Sequence, residues 1–350
     1  MKMKIFKIFR KKPKSKIKKS IRLIKSNNNP IISPSFYSWE TRATFNPAAV
    51  RSDGKIYLLY RAIGDDDSSV LGYASSYDGL HIGERPTYSV YKRYKCHADY
   101  NNLSIDYISG GGWSGGCEDP RLSLIDDTLY MLYTAFDGWG SVRIALTSIL
   151  FQDFKKKKWN WKKEVLISPK GEVHKNWVLF PEKINGKYAI MHSISPDILV
   201  DYFDDLRELD GKKIIESVHQ NHPKWQLREK GIRGIGPTPI KTELGWLVLY
   251  HITEEGKYKL KAMILDKKDP TRILYRSINP ILEPEEDYEN HGIASGVVYS
   301  CGAVVHNEEL FVYYGGADKY VCVASMLLKE LLEDLKQNKP VKLRKRRKIK

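Results

Sequence analysis

The sequence predicts an all-β protein, a five-bladed β-propeller with one helix near its C-terminal end. Three observations lead to this fold class. The chain has 350 residues, of which 42% are hydrophobic and 11% aromatic, enough to bury the core of one large domain. A strand pattern recurs five times along the chain. No helical pattern separates one repeat from the next, which argues against an alternation of strands and helices.

Each repeat opens with a turn and continues as a run of alternating apolar and aromatic residues. Asp-Gly and Asn-Gly pairs in these turns supply the positive-φ residues that tight hairpins need. The repeats predict strands at 55–62, 128–135, 187–192, 246–251 and 310–315. Equivalent positions in them follow at intervals of 73, 59, 58 and 64 residues: Tyr60, Tyr133, His192, Tyr250 and Tyr314.

The end of the chain shows a different period. Leucines within 324–337 keep the three-to-four-residue spacing of an amphipathic helix, which predicts one C-terminal helix packed on the propeller. No linker rich in Gly, Ser or Pro interrupts the repeats. We therefore expect one catalytic domain at 30–338, with basic tails at 1–29 and 339–350.

The net charge of +16 is concentrated at the two ends of the chain. Residues 1–25 carry twelve Lys and Arg and residues 336–350 carry nine, with no acid in either stretch, whereas the rest carries 37 basic and 42 acidic residues. The body of the protein therefore gives no indication of nucleic-acid binding. We expect residues 1–25 and 340–350 to be peripheral, with contact to an anionic surface as an alternative role.

Targeting and cysteine patterns give little sign of export or metal binding. No apolar run has the length of a signal peptide or approaches the roughly 20 residues of a membrane span, so we expect a cytoplasmic protein. The four cysteines are widely spaced without a CxxC pair, which predicts neither a metal site nor a disulfide framework. We expect each to be a small buried residue: Cys96, Cys117, Cys301 and Cys322. No cofactor is predicted.

Short polar motifs lie beside the predicted strands. Each alone has an ordinary interpretation, since Asn-Pro and Asp-Pro commonly open turns and a single histidine is commonly a core residue. A propeller, however, gathers the equivalent strand of every blade around one channel. Recurrence at equivalent strands predicts that five polar side chains converge at one end of the ring: Arg61, Asp119, His192, His251 and Asp318.

The motifs and their order resemble glycoside hydrolase family 130. The resemblance runs from about residue 33 to 330 and is carried by "FNP" (45–47), "YRA" (60–62), "GCEDPR" (116–121), "KNWVLFPEKINGKY" (175–188), "GIGPTPI" (234–240), "GWLVLYH" (245–251) and "YYGGAD" (313–318). It implies a five-bladed propeller that acts on β-mannosides, as an inverting phosphorylase or as a hydrolase.

The resemblance implies that Asp119 is the general acid. In the family this carboxyl is thought to protonate the glycosidic oxygen through a sugar hydroxyl. An acid that donates at neutral pH needs a raised pKa, and we expect Glu118 and a partly dry channel floor to raise it. Arg121 would act in the opposite direction if it lies close.

Inverting phosphorolysis uses phosphate itself as the nucleophile, so the site must supply cations for it. The resemblance implies a phosphate-binding set: Lys175, Asn176, Arg233 and His251. It implies a substrate-binding set: Asn46, Arg61, Glu118, Arg121, His192 and Asp318. Four aromatic residues near the motifs are candidates for stacking on sugar rings: Trp113, Tyr133, Trp139 and Trp177.

One departure from the family pattern leaves the reaction open. Phosphorylases of the family usually follow the "LFPEKI-GKY" strand with His-Arg, but here Ser193 follows His192. If the remaining groups hold phosphate, the product is α-mannose 1-phosphate. If they do not, water attacks and a second carboxylate, Glu182 or Asp318, acts as base about 6.5–9.5 Å from Asp119.

A third interpretation is a non-catalytic propeller that binds glycan. The expected partners are a β-mannoside oligosaccharide and inorganic phosphate, and a homo-oligomer is compatible with the sequence. The leaving-group sugar is not predicted.

Overall fold

The computed structural model describes residues 21–93, 115–137, 142–219 and 222–338. The protein is mostly β-structure, with few helices. In the first part of the chain the strands are β1 (Ile24–Lys25), β2 (Ala43–Ser52), β3 (Lys55–Ile63), β4 (Ser69–Ser76), β5 (Gly116–Ile125), β6 (Thr128–Phe136), β7 (Val142–Leu150) and β8 (Val165–Leu166).

The second part of the described chain contributes eleven more strands. They are β9 (Val178–Leu179), β10 (Tyr188–Ser193), β11 (Leu199–Phe203), β12 (Ile232–Ile235), β13 (Ile240–Lys241), β14 (Trp246–Glu254), β15 (Lys257–Leu265), β16 (Ile273–Arg276), β17 (Val298–His306), β18 (Glu309–Gly316) and β19 (Tyr320–Leu327). The α-helices are α1 (Phe151–Lys155), α2 (Asp287–Asn290) and α3 (Leu328–Gln337).

The strands form four sheets. One sheet runs from β2 to β8 in chain order, and a single parallel pair, Ser69 with Gly116, joins its two antiparallel halves. The second sheet has β10 between β9 and β11. The third has the order β12-β14-β15-β16 with β13 beside β14, and the fourth has the order β1-β19-β18-β17. Most strands therefore pair with their neighbour in the sequence. Five blades remain a prediction.

All five predicted strands are confirmed, as β3, β6, β10, β14 and β18, with ends that differ by no more than three residues. The turns that precede them contain the expected left-handed residues. Asp53 and Gly54 have φ values of 51° and 72°, and Asn185 and Gly186 have values of 52° and 82°. Local turn chemistry therefore positions these hairpins.

The predicted tail over residues 1–29 is wrong for residues 21–29. Strand β1 pairs with β19, and Leu23 is buried in the core. Lys25 places its ammonium 2.6 Å from the carboxylate of Glu289, which has no exposed surface. A residue distant in sequence thus completes the last sheet. Residues 1–20 and 339–350 lie outside the described residues.

The predicted C-terminal helix is present but begins later than expected. Strand β19 continues to Leu327, because Ala324 and Met326 still pair with β18, and helix α3 starts at Leu328. Its leucines Leu331, Leu332 and Leu335 are buried against the sheet, as the spacing predicts. The short helices α1 and α2 were not predicted.

Buried side chains follow the expected pattern elsewhere. The described cysteines, Cys117, Cys301 and Cys322, are buried free thiols as predicted, and Cys96 lies outside the described residues. Within the described ranges, no helix combines the length and apolar content needed to cross a lipid bilayer.

Two long strands, β2 and β5, are interrupted at a similar place. Register shifts occur between Phe45 and Ala48 in β2 and between Glu118 and Arg121 in β5. The skipped residues are Asn-Pro and Asp-Pro. Proline lacks the backbone N–H that would donate a hydrogen bond to the neighbouring strand. At a bulge the extra residues are unpaired, so this donor is not needed, and the side chain beside the proline points in a new direction. Strands β12 and β17 carry comparable shifts.

Candidate active site

Asp119 lies at the bulge of β5 in a left-handed conformation, with φ of 50°. Its carboxylate accepts a hydrogen bond from Asn46 Nδ2 at 2.8 Å. It also lies 3.3 Å from a guanidinium nitrogen of Arg61. Asn46 occupies the matching bulge of β2, with φ of 47°. Two repeats therefore meet at this carboxylate, and only 9% of Asp119 is exposed.

Arg61 on β3 connects the two acids of the "EDPR" motif. Its guanidinium contacts Glu118 at 2.9 Å as well as Asp119, and its Nε donates to the Ser69 hydroxyl at 3.0 Å. The cation packs on the ring of Phe45 with 4.7 Å to the centroid. Because Arg61 and Glu118 are both buried, this ion pair fixes the position of the Asp119 carboxylate.

Arg121 is a buried link between strands. Its guanidinium donates to the backbone carbonyls of Asp119 at 2.7 Å and Gly236 at 2.9 Å, and to Asn176 Oδ1 at 3.0 Å. Only 2% of the residue is exposed. Since these bonds use protein acceptors, Arg121 holds β5 against neighbouring segments, and the geometry does not support its predicted role as a substrate ligand.

The expected rise in the pKa of Asp119 is wrong. Burial acts to raise this pKa, but the positive charges of Arg61 and Arg121 outweigh burial, with further lowering by the Asn46 hydrogen bond and Lys175. The pKa of Asp119 is therefore below its usual value. The charge of Arg121 lowers the pKa of Asp119, as predicted for an arginine that lies close to it.

Asp318 is the carboxyl group with the raised pKa. It follows β18 in a turn where Ala317 and Asp318 have φ values of 49° and 51°. Burial raises its pKa to about 7, and the nearby charges of Asp119 and Glu118 act in the same direction. Near neutral pH Asp318 is therefore partly protonated, whereas the charges around Asp119 favour its ionised form.

Asn176, Tyr299 and His251 form a layer beside Arg121. Tyr299 donates to Asn176 Oδ1, and its ring stacks on His251 with 4.1 Å between centroids. His251 Nε2 accepts from the Ser300 N–H at 2.9 Å, so its proton is on Nδ1. Burial, reinforced by the charge of Arg121, lowers the pKa of His251 to about 3. His251 is therefore neutral and cannot add positive charge for phosphate.

A cavity of about 110 Å³ opens next to Asn176. Three cationic side chains line it: Lys175, Arg228 and Arg233. Lys175 also lies close enough to Asp119 and Asp318 for its charge to lower the pKa of both. The structure thus brings the predicted Lys175, Asn176 and Arg233 together, whereas His251 is fully buried behind them.

His192 and Ser193 line the same cavity at the end of β10. His192 Nδ1 lies 2.8 Å from the Ser217 hydroxyl, and its Nε2 has no hydrogen-bond partner among the described residues. The Ser193 hydroxyl donates to the carbonyls of Ser195 and Asp197, at 3.3 and 3.1 Å. Ser193 therefore stabilises its own turn and supplies no charge.

The aromatic candidates divide into three groups. Tyr133 is buried in the core, where it contacts Tyr91. Trp177 is 2% exposed but lines the cavity next to His192. Trp113 and Trp139 lie outside the described residues.

Sequence reasoning missed Tyr299 and Arg228. Neither residue belongs to a motif singled out in the sequence, so no pattern along the chain pointed to them.

Metal chemistry has no support from side-chain clustering. In the described ranges, no group of three or more His, Cys, Asp or Glu side chains is arranged to hold a metal ion.

Comparisons with known proteins agree with the motif resemblance. The family model for beta-1,4-mannooligosaccharide phosphorylase, glycoside hydrolase family 130, matches residues 9–337. The chain is 36% identical over 326 residues to the 1,2-beta-oligomannan phosphorylase of Thermoanaerobacter sp. (strain X514), covering 89% of this chain and 99% of that protein. It is 37% identical over 320 residues to a beta-1,2-mannobiose phosphorylase of the same organism, covering 87% and 96%.

A solved structure shows the same relationship. The beta-1,2-mannobiose phosphorylase from Listeria innocua, in complex with beta-1,2-mannobiose, matches with a TM-score of 0.65 and 26% identity, covering 91% of this chain and 100% of that one. Members of the matching family are phosphorylases and glycosidases that act on mannosides, and its phosphorylases use inorganic phosphate as co-substrate. The match over almost the whole chain places this protein in glycoside hydrolase family 130.

Proposed function

We propose that the protein is an inverting β-mannoside phosphorylase that cleaves β-1,2-linked mannooligosaccharides with inorganic phosphate and releases α-mannose 1-phosphate. Two relatives with 36% and 37% identity support this substrate class, since they are named for 1,2-β-oligomannan and β-1,2-mannobiose and align over nearly their full length. The names support phosphorolysis over hydrolysis for the same reason.

One arrangement carries the proposal: a cationic cavity adjoins a pair of acids. Lys175 lines the cavity together with Arg233, and its charge also acts on Asp119 and Asp318. A phosphate held by these cations would lie beside the acids rather than at a distant surface. Phosphate is then available as the nucleophile, and one enzymic carboxyl is sufficient for an inverting displacement.

In the proposed reaction, a phosphate oxygen forms a bond to the anomeric carbon while the glycosidic C–O bond breaks. Asp119 delivers a proton, through a sugar hydroxyl, to the departing oxygen. The lowered pKa of Asp119 follows from the cations around it, Arg61, Arg121 and Lys175 among them. The negative charge of a phosphate dianion bound next to Lys175 would offset part of the effect of these cations. The pKa of Asp119 would then rise toward a value at which it can donate a proton near neutral pH.

The remaining residues of the site have positioning or binding roles in this proposal. Asn46, Arg61 and Glu118 hold the Asp119 carboxylate through the contacts described above. Asp318 and His192 bind sugar hydroxyls. Lys175, Asn176 and Arg233 bind phosphate, and neutral His251 can contribute only the N–H of its Nδ1.

Hydrolysis is the second candidate, favoured by Ser193. This residue lines the cavity but offers no positive charge. Of the two carboxylates considered as a base, Glu182 forms an ion pair with partly exposed Lys241 at 2.6 Å, which leaves Asp318. Because the pKa of Asp318 is about 7, it would serve as a base only near or above neutral pH. A hydrolase of this kind would work without phosphate and faster as the pH rises.

Incubation with a panel of β-mannosides, with and without inorganic phosphate, tests the proposal. We expect β-1,2-mannobiose to be consumed only when phosphate is present, with mannose 1-phosphate among the products. Equal consumption in both conditions would show that water is the nucleophile. No consumption of any mannoside in either condition would favour the glycan-binding interpretation.

The proposal includes the predicted five-bladed propeller, with blades formed by β2–β4, β5–β8, β9–β11, β12–β16 and β17–β19 with β1. The antiparallel grouping of the strands supports this division. A cytoplasmic location, a homo-oligomer and anionic contacts of the basic tails remain predictions from the sequence.

A further inference from the structure

The segment that precedes β12 contributes to the cavity. Trp225 and Arg228 from this segment line the cavity together with Lys175 and Arg233. Neither residue belongs to the motifs that carry the family resemblance. Their presence needs a separate physical explanation.

Arg228 is held in a defined position. Its guanidinium lies over the ring of Trp225, with 3.7 Å to the centroid, and it donates one hydrogen bond to the carbonyl of Ile232. A guanidinium has five N–H donors in a rigid planar fork, so stacking on its face and one bond at its edge leave other donors for a ligand. The side chain is half-buried, which limits its freedom further.

No described carboxylate balances the charge of Arg228. Among the residues that the structure describes, neither Arg228 nor Arg233 forms an ion pair with Asp or Glu, although most other described arginines do. Arg228 and Arg233 line the same cavity, and the charge of Arg233 adds to burial in lowering the pKa of Arg228. Like charges held together at a cavity wall are stabilised by a bound anion.

Another lining residue of the cavity, Ser193, shows why an additional cation is useful. Ser193 lines the cavity where the family pattern would place an arginine, and its hydroxyl is used by the backbone of its own turn. Arg228 reaches the same cavity from a different segment. The cavity thereby receives a positive charge from a different place in the sequence.

We propose that Arg228 is a phosphate-binding residue that, stacked on Trp225, joins Lys175 and Arg233 in holding the attacking phosphate. This inference rests on the proposed phosphorylase function. In this proposal Arg228 supplies the positive charge that is missing where Ser193 stands in place of the arginine of the family pattern.

Steady-state kinetics of three variants test it: Arg228→Ala, Arg228→Lys and Lys230→Ala. Lys230 is the matched control, because it is an exposed cation in the same segment and does not line the cavity. We expect Arg228→Ala to raise the KM for phosphate about 10- to 100-fold, as the loss of a hydrogen bond between a charged donor and an anion predicts. Arg228→Lys should recover part of this loss, and Lys230→Ala should change the KM for phosphate less than twofold.

The sugar substrate provides the readout that a merely structural role would not give. The KM for β-1,2-mannobiose at saturating phosphate should change little in Arg228→Ala, and the KM for α-mannose 1-phosphate in the reverse reaction should rise with that for phosphate. A normal phosphate KM in Arg228→Ala, or a raised mannobiose KM alone, would overturn the assignment while leaving the phosphorylase function intact. Wild-type turnover that does not depend on phosphate would overturn both the assignment of Arg228 and the proposed phosphorylase function. Thermal unfolding of each variant verifies that it is folded.

Discussion

Asp119 and Asp318 are neighbouring carboxyl groups whose surroundings move their pKa values in opposite directions. Asp119 is surrounded by Arg61 and Arg121, and its pKa is lowered despite burial. Asp318 is partly buried beside other acids, and its pKa is raised to about 7. The sequence identified both residues but assigned the raised pKa to Asp119. Their difference depends on side chains from several strands, which residue spacing along one motif does not reveal.

The substitution Asp119→Asn tests the role of this residue as the general acid. The asparagine side chain keeps the shape of the aspartate but cannot deliver a proton, so the rate on an unactivated β-mannoside should fall about 100-fold or more. An aryl mannoside has a good leaving group and needs less protonation. If it binds, the variant should be much less impaired on it. A variant that cleaves mannobiose as fast as the parent would show that "EDPR" is only a structural turn.

The raised pKa of Asp318 predicts a pH-dependent effect of Asp318→Asn on stability. Between about pH 4 and 7 the folded protein holds a proton on Asp318 that the unfolded chain has released, so the contribution of this residue to stability falls as the pH rises through that range. Asparagine does not titrate. Thermal unfolding should therefore show the variant to be more stable than the parent at pH 8, and no more stable at pH 4. Equal differences at both pH values would contradict the raised pKa.

At the scale of elements, local signals predicted the hairpins well. Turn pairs such as Asp53-Gly54 and the alternation that follows them are encoded within about ten residues, and the strands appear where expected. The helix boundary near Leu328 was less accurate, since pairing of β19 with β18 extends the strand into the leucine pattern. The Asn-Pro and Asp-Pro pairs were assigned to the site or to turns, but the bulges that they form were not predicted. Their effect on the site appears only when the bulges of β2 and β5 meet, where Asn46 hydrogen-bonds Asp119.

The contact between β18 and the bulge of β2 gives a prediction for Gly315. A Cβ atom at Gly315 would lie 2.1 Å from Asn46 Oδ1, so Gly315→Ala must displace the amide that hydrogen-bonds Asp119. We expect turnover to fall at least tenfold. Gly83→Ala is the matched control, because its Cβ would meet nothing closer than 3.9 Å. Unchanged turnover in Gly315→Ala would show that Asn46 does not need to hold Asp119.

At the scale of the whole molecule, strands from the beginning and the end of the described residues meet in one sheet. Residues 21–29 were predicted to be part of a basic tail, because lysines dominate the sequence before them. The structure instead buries Leu23 and pairs β1 with β19. The paired residues of β1 and β19 are about 300 positions apart in the sequence, so no local pattern predicts their pairing. The predicted residues that line the cavity or surround Asp119, in contrast, belong to motifs next to predicted strands, whereas Arg228 and Tyr299 do not.

Lys25 tests the contribution of the pairing of β1 with β19. The Glu289 carboxylate is fully buried and accepts hydrogen bonds from the Tyr314 hydroxyl at 2.8 Å and from the Lys25 ammonium at 2.6 Å. Lys25→Ala leaves this charge without its cation, and the free energy of unfolding should fall by about 3 kcal/mol. Lys329→Ala, which removes an exposed lysine from helix α3, should change it by less than about 0.5 kcal/mol in denaturant titrations. Equal effects of the two substitutions would show that β1 is dispensable.

The central claim is that phosphate, rather than water, attacks the mannoside with inversion. A time course by ¹H and ³¹P NMR of the wild-type protein with β-1,2-mannobiose and inorganic phosphate tests it most directly. We predict that mannose and mannose 1-phosphate appear in equal amounts from the first time points, and that the phosphate ester has the α configuration. Two equivalents of free mannose without a phosphate ester, or a β-configured ester, would contradict the account.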